Sequence, residues 1–203
     1  YLKSLYTTED ALIAAQAFKV VDYNHWHRID EDIEFCYTDA GHIIGSAAVH
    51  LRIKEKGKIT AITFSGDVGR YRDIILKSPA VFDQADYILI ESTYGNSLHD
   101  EHHPTTETLL KWVEHTCLHK KGKLIIPAFS VGRTQELLYS LNQLEIENRL
   151  PELQYFVDSP LSSKATQIIK SYPQYFNNRI QKILQSDSDP FAFKGLKFTK
   201  SVD

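Results

Sequence analysis

Three short segments carry residues whose types could do chemistry together. In Asp39-Ala40-Gly41-His42-Ile43-Ile44-Gly45-Ser46-Ala47 a histidine sits between glycines at the end of an alternating stretch. Glycine lacks a Cβ, so the chain can bend sharply there and present an imidazole nitrogen into a cleft, which zinc ligation needs. About twenty-five residues later, Phe64-Ser65-Gly66-Asp67-Val68-Gly69-Arg70 puts an aspartate in the same kind of glycine-flanked turn. A carboxylate in that place can bridge two metal ions that hold a water between them as nucleophile. The third segment, Ile88-Leu89-Ile90-Glu91-Ser92-Thr93-Tyr94-Gly95, ends an apolar run on an acid. The carboxyl end of a buried strand is where α/β proteins place ligands and catalytic groups, and an acid there can orient a histidine acting as general acid. Taken singly, His42 and Asp67 read as turn residues satisfying their own backbone, and Glu91 as a capping carboxylate. In series, the site reading is the stronger one.

A second group lies downstream. Ser130-Val131-Gly132-Arg133 joins an apolar run to a helical pattern, so free backbone N–H groups at the helix start, the Ser130 hydroxyl and the Arg133 guanidinium could together take a phosphate. The alternative for Arg133 is a pair with Glu136 one turn on. Asp158, before Ser159-Pro160, occupies the analogous place at the next strand end, where it either touches substrate or caps the following helix. Other histidines carry less. His25-Trp26-His27-Arg28-Ile29-Asp30 has a ligand-like spacing but reads as a solvated loop, His99, His102 and His103 as a polar linker, and His50 as a strand-face residue. His115 and His119 fall near the end of a helix, where an imidazolium suits the dipole.

The elements that must position these groups follow from periodicity. Thr7 or Thr8 caps a helix running to about Val20, and Ile33–Thr38, Ala47–Ile53 and Ile59–Phe64 alternate as strands of a meander, the last two joined by a hairpin at Lys56-Gly57-Lys58. Tyr87–Glu91, Lys123–Ala128 and Leu153–Asp158 are short, nearly continuous apolar runs, the pattern of strands buried on both faces. Helices over Thr105–Leu118, Thr134–Glu147 and Ser162–Tyr172 alternate with them, which predicts a parallel, Rossmann-like unit. The fold class expected is therefore α/β, with a boundary near Tyr94–Leu98.

In order along the chain, Ala-Gly-His-x-x-Gly-Ser-Ala (Ala40–Ala47), Ser-Gly-Asp-Val-Gly-Arg (Ser65–Arg70), Glu-Ser-Thr-Tyr-Gly (Glu91–Gly95), Pro127–Glu136, Val157–Leu161 and Asp189-Pro190-Phe191 with Lys194-Gly195-Leu196 resemble motifs of the β-CASP branch of the metallo-β-lactamase superfamily. Members include RNA-processing nucleases, among them the endonuclease subunit of the cleavage and polyadenylation machinery. The resemblance implies a partial αββα metallo-β-lactamase half-domain over residues 1–95, followed by a β-CASP domain over 96–203 that is incomplete at its C-terminal end. It implies that His42 is a zinc ligand, Asp67 the carboxylate bridging two zincs, and Glu91 the acid supporting a general-acid histidine. The family's His-x-His-x-Asp-His motif and its last histidines are absent from these 203 residues. A zinc-dependent ribonuclease is thus expected of a longer parent, with single-stranded RNA as partner, and a second copy or an RNA-processing complex as its assembly. The piece itself is expected to hold zinc weakly or not at all and to be inactive, since tetrahedral sites use three or four protein ligands. A catalytically dead RNA- or protein-binding subunit and a DNA-directed nuclease are the alternatives.

Composition sets outer limits. The net charge of −3 gives no global footprint for nucleic acid, although a cleft can be basic on an acidic protein. No apolar run approaches the ~20 residues of a membrane-spanning helix. Two cysteines, Cys36 and Cys117, at no disulfide or zinc spacing suggest a reduced, cytoplasmic setting. The absence of methionine, with a start at Tyr1, suggests a segment of a longer protein.

Overall fold

Alternating residues build most of a five-stranded sheet in the computed structural model, which describes residues 4–98 and 105–199. Strands β1 (Trp26–Arg28), β2 (Ile33–Asp39), β3 (Ala47–Glu55) and β4 (Lys58–Phe64) form an antiparallel meander, and β5 (Tyr87–Leu89) joins β4 in parallel. Lys56 and Gly57 both have positive φ (49° and 79°), the pair of left-handed conformations a tight hairpin requires. The β2–β3 register pairs Asp39 with Ala47, so the Gly41–Ser46 loop closes that end of the hairpin. Because β2, β4 and β5 run the same way, the loops that follow them leave one end of the sheet. His42, Asp67 and Glu91 all lie in those loops.

Thr7 caps α1 (Thr8–Gln16) reciprocally: its hydroxyl accepts the Asp10 N–H, and the Asp10 carboxylate accepts the Thr7 N–H. The helix stops at Gln16, short of the expected Val20. Its side chains bury nothing, and a short helix without packing is marginal, so it does not extend through Phe18 and Val20. The segment expected to be a solvated loop at His25–Arg28 is instead β1. Trp26 gives it a reason to pair, since the ring lies under the Arg52 guanidinium at 3.7 Å, while His27 turns to the other face against Phe35.

The second half is helical: α2 (Thr105–Val113) runs on into a π-helical turn (Glu114–His119), then α3 (Arg133–Ile146) and α4 (Pro160–Lys170) alternate with β6 (Tyr155–Val157), and α5 (Asn178–Ile183) precedes β7 (Leu196–Phe198). A core of Leu109, Leu138, Leu144, Phe176, Ile180 and Phe191 also takes in Ile75 from the segment after β4. That segment is tied down by the Asn177 N–H to the Ile75 carbonyl at 2.8 Å, and by the Asn177 amide to the Asp73 carbonyl at 3.0 Å.

The mixed α/β class holds, and two expectations within it do not. Lys123–Ala128 lies in no strand, and Ile125 is 85% exposed. The only parallel pair in this half, among the described residues, is β6 with β7. β5 and Ile90 after it are more than half exposed, not buried on both faces. An apolar run becomes a central strand only where a neighbour pairs with it and a layer covers it. Among the described residues, β5 has a partner on one edge only, and Lys123–Ala128 has none. No helix among the described residues is long and apolar enough to cross a membrane, and Cys36 and Cys117 are both free thiols.

His50 on β3 is buried between two strands, its Nε2 at 2.9 Å from Thr38 Oγ1 and its Nδ1 at 3.0 Å from Thr63 Oγ1. Burial pushes its pKa below the ordinary 6.5, against an opposing pull from Asp83. The unfolded chain therefore takes up a proton on His50 before the folded one does. The stability tied to the neutral ring is complete above about pH 6.5 and is lost as pH falls below it. Thermal denaturation between pH 7 and pH 5 should show a falling midpoint, with a shallower fall in His50→Gln. Parallel slopes for the two proteins would show that His50 does not contribute.

Candidate functional site

The Gly41–Ser46 loop is shaped from within. Asp39 Oδ1 accepts the Gly41 N–H at 2.8 Å, and Ser46 Oγ accepts the N–H groups of His42 and Ile43 at 3.1 and 3.3 Å. Burial raises the Asp39 pKa, with the Gly41 N–H acting against it. Gly41 has φ +64°, and a Cβ on it would meet Pro79 N at 2.8 Å and Lys77 O at 2.9 Å, so no other residue fits. The second loop is pressed against the first: the Gly69 N–H donates to the Ala40 carbonyl at 2.8 Å, and a Cβ on Gly69 would lie 1.7 Å from the Gly41 oxygen.

This contact brings His42 Nε2 to 3.7 Å from Asp67 Oδ2, with both side chains open to solvent (46% and 71% exposed). Glu91 then fastens the third loop to the second. Its carboxylate accepts the Val68 N–H at 2.8 Å and the Thr93 N–H at 3.3 Å, and its own N–H donates to Ser65 Oγ at 3.0 Å. The Thr93 hydroxyl, then the Val68 N–H, hold its pKa below the usual carboxylate value, with a smaller contribution from His42. Glu91 is thus anionic, and its hydrogen bonds keep the Asp67 turn in place. The donor pair fits a shared cation, because two ligands about 2.1 Å from a tetrahedral zinc lie about 3.4 Å apart. Among the described residues no group of three or more His, Cys, Asp or Glu side chains could hold a metal. His42 and Asp67 are thus two donors, short of the three or four protein ligands of a tetrahedral site.

The downstream group is brought to the same place in part. Gly132, at φ +83°, precedes α3, and a Cβ there would be 3.6 Å from Ile43 Cγ2, so this turn abuts the His42 loop. Gln135 caps it: its side-chain oxygen accepts the Gly132 N–H at 2.8 Å, and its amide donates to Thr166 Oγ1 at 2.8 Å and to the Ser130 carbonyl at 3.2 Å. Arg133 pairs with Glu136 at 2.9 Å while its side chain stays 46% exposed. Ser130 Oγ lies 3.3 Å from Ser159 Oγ, linking the starts of α3 and α4. The capping role weighed for Asp158 belongs to Ser159, whose hydroxyl accepts the Ser162 N–H. Asp158 accepts from the Thr199 hydroxyl at 3.0 Å.

Sequence reasoning missed three contributors. Arg70 lies close enough to Glu136 to offset part of the burial that raises that carboxyl's pKa, beside the larger effect of Arg133. The signal for Arg70 was a cation three residues after Asp67. Ser65 and Ser46 set backbone positions, which no spacing rule exposes. His25 is exposed and His27 faces Phe35, so neither joins the His42–Asp67 pair. His115 and His119 sit on the π-helical turn, their rings 6.5 Å apart. His99, His102 and His103 lie outside the described residues.

The sequence profile of the Beta-Casp domain matches residues 134–203. A ribonuclease of Thermus thermophilus is 30% identical over 96% of this chain and 43% of its own length. An RNase J-like protein of Methanocaldococcus jannaschii is 30% identical over 94% of the chain and 45% of its own. Endoribonuclease YSH1 of Kluyveromyces lactis is 30% identical over 98% and 26%. The chain spans less than half the length of these curated relatives. The Beta-Casp match and these relatives agree with one another, and the chain belongs to the β-CASP branch of the metallo-β-lactamase superfamily.

Proposed function

We propose that the whole protein is a zinc-dependent ribonuclease cleaving single-stranded RNA, and that this chain supplies part of its metal centre and its phosphate-binding face. The observation that carries this reading is the 3.7 Å approach of His42 Nε2 and Asp67 Oδ2 at the mouth of the Ser130–Arg133 turn. His42 and Asp67 would hold zinc, with the remaining ligands from elsewhere in the protein. Two zincs bound there would lower the pKa of a shared water and take up charge on the phosphoryl oxygens. The chain's own residues do the rest. Glu91 keeps the Asp67 turn in register through Val68. Arg133 and the Ser130 hydroxyl would contact the phosphate backbone, with Glu136 holding the guanidinium in position until a phosphate competes for it; the Gly132 N–H expected to join them is already taken by the Gln135 side chain. Asp158 borders the same surface. The names of the relatives favour RNA over DNA, and endonucleolytic cleavage is named for one of them.

The test is cleavage of matched single-stranded RNA and DNA by the full-length protein, before and after chelation and zinc return. Zinc-restored RNA cleavage that disappears in Asp67→Ala is the expected result. The 203-residue chain alone should show no cleavage and less than about one-tenth of a zinc per chain, as two ligands hold the ion poorly. RNA binding without cleavage by the full-length protein would identify an inactive subunit instead, and preferential DNA cleavage a DNA-directed nuclease.

A further inference from the structure

Beside the loop that carries His42, a cavity of about 600 Å³ runs between the β2–β3 face of the sheet and the C-terminal end of α4. Its walls include four tyrosines, Tyr23, Tyr37, Tyr172 and Tyr175, with Lys19 among the lining residues and Gly45 of the His42 loop on its border. The rings are held in place. Tyr23 meets Tyr175 edge-on at 5.9 Å, and its hydroxyl donates to the Ser46 carbonyl at 2.8 Å. Tyr172 lies 6.2 Å from Tyr175 at a 46° tilt and remains 46% exposed.

We propose that this groove is a stacking subsite that takes an unpaired base of single-stranded RNA on the Tyr172 face, with Lys19 beside the backbone. Resting on the ribonuclease reading above, it adds where the strand goes on leaving the His42–Asp67 pair. Three observations support an RNA base as occupant. Aromatic faces in a groove accept any base, because every base has a π-face, and a neighbouring cation suits the phosphate chain. The size falls within the roughly 300–1,000 Å³ of small-ligand sites, so one or two nucleotides fit without rearrangement. The groove wall is also tied to the candidate centre through a single residue: the Ser46 carbonyl holds Tyr23, and the Ser46 hydroxyl holds the His42 backbone.

The experiment is fluorescence anisotropy of a labelled oligouridylate, and of an abasic oligomer of equal length, against the 203-residue chain and its Tyr172→Ala and Tyr172→Phe variants. Tyr172→Ala should weaken oligouridylate binding by about 5- to 100-fold, with Tyr172→Phe within about twofold of wild type and the abasic oligomer indifferent to either change. The Phe variant and the abasic ligand separate loss of a stacking face from loss of fold. Equal oligouridylate affinity for wild type and Tyr172→Ala would overturn the subsite and leave the ribonuclease reading standing, the groove then being free for a protein segment. No oligouridylate binding by the wild-type chain would remove the RNA path through this chain, and the subsite with it. Loss of cleavage specificity in the full-length protein is read separately, so the two failures stay distinct.

Discussion

Gly69→Ala should lower the melting temperature by about 6–12 °C, corresponding to roughly 3 kcal/mol for a chain of this size. An added Cβ would sit 1.7 Å from the Gly41 carbonyl oxygen, 2.1 Å from its carbonyl carbon and 2.6 Å from the His42 nitrogen. All three are backbone atoms in a loop already pinned by Pro79 and Lys77, so nothing can swing aside. The two loops must part, and the Gly69 N–H to Ala40 hydrogen bond breaks with them. Because that contact also sets the His42–Asp67 distance, metal affinity of the full-length protein should fall along with stability. Gly122→Ala is the matched control. Its nearest neighbour would be the Thr116 carbonyl at 3.4 Å and its φ needs no glycine, so a neutral or slightly stabilising effect is expected. Scanning calorimetry of the two variants decides the matter; a Gly69→Ala protein melting with wild type would mean that the loops are not in contact.

Phe176→Ala should cost about 3–5 kcal/mol. Phe176 is 1% exposed, packs edge-on to Phe191 at 6.0 Å, and its backbone bridges to Leu76. Truncation opens a void at the seam where the segment after β4 enters the helical core, and rigid neighbours on both sides limit collapse. Phe176→Leu keeps most of the volume and should lose less than about 1.5 kcal/mol. Chemical denaturation gives both values. Equal midpoints for the Ala variant and wild type would show that this ring is not in the core. Hydrogen exchange at the Asn177 amide, which bonds the Ile75 carbonyl, should quicken in the Ala variant before global unfolding is reached.

What could be read from the sequence was whatever local chemistry decides. Strict alternation over Ile33–Phe64 fixed the meander and its faces, and glycines flanking His42 and Asp67 marked turns that only glycine can make. Ser159 and Pro160 announced α4, although the cap was weighed for Asp158. Neighbour-dependent features were not legible. An apolar run such as Lys123–Ala128 records a preference for burial but not whether a partner strand lies beside it, and β5 has the same ambiguity. β1 depended on Arg52 lying over Trp26, a pairing of residues far apart in the chain. The contact of the Gly132 turn with Ile43 likewise comes from the tertiary packing of two loops, which spacing within either one cannot disclose.

The link from Asn177 back to Asp73, 104 residues earlier, also bears on how the chain acquires its structure. Closing so long a loop is slow relative to forming local helices, so the Asp73–Leu76 segment is the last part of its half to be secured. At ribosomal speeds of roughly 5–20 residues per second, about 5–20 s pass between synthesis of Asp73 and of its partner. During that interval Ile75 and Leu76 lack their Phe176 and Asn177 partners, while the meander before them can already pair. A ribosome halted before Asn177 would therefore carry a formed hairpin sheet with a sticky tail, a natural target for chaperones that bind nascent chains.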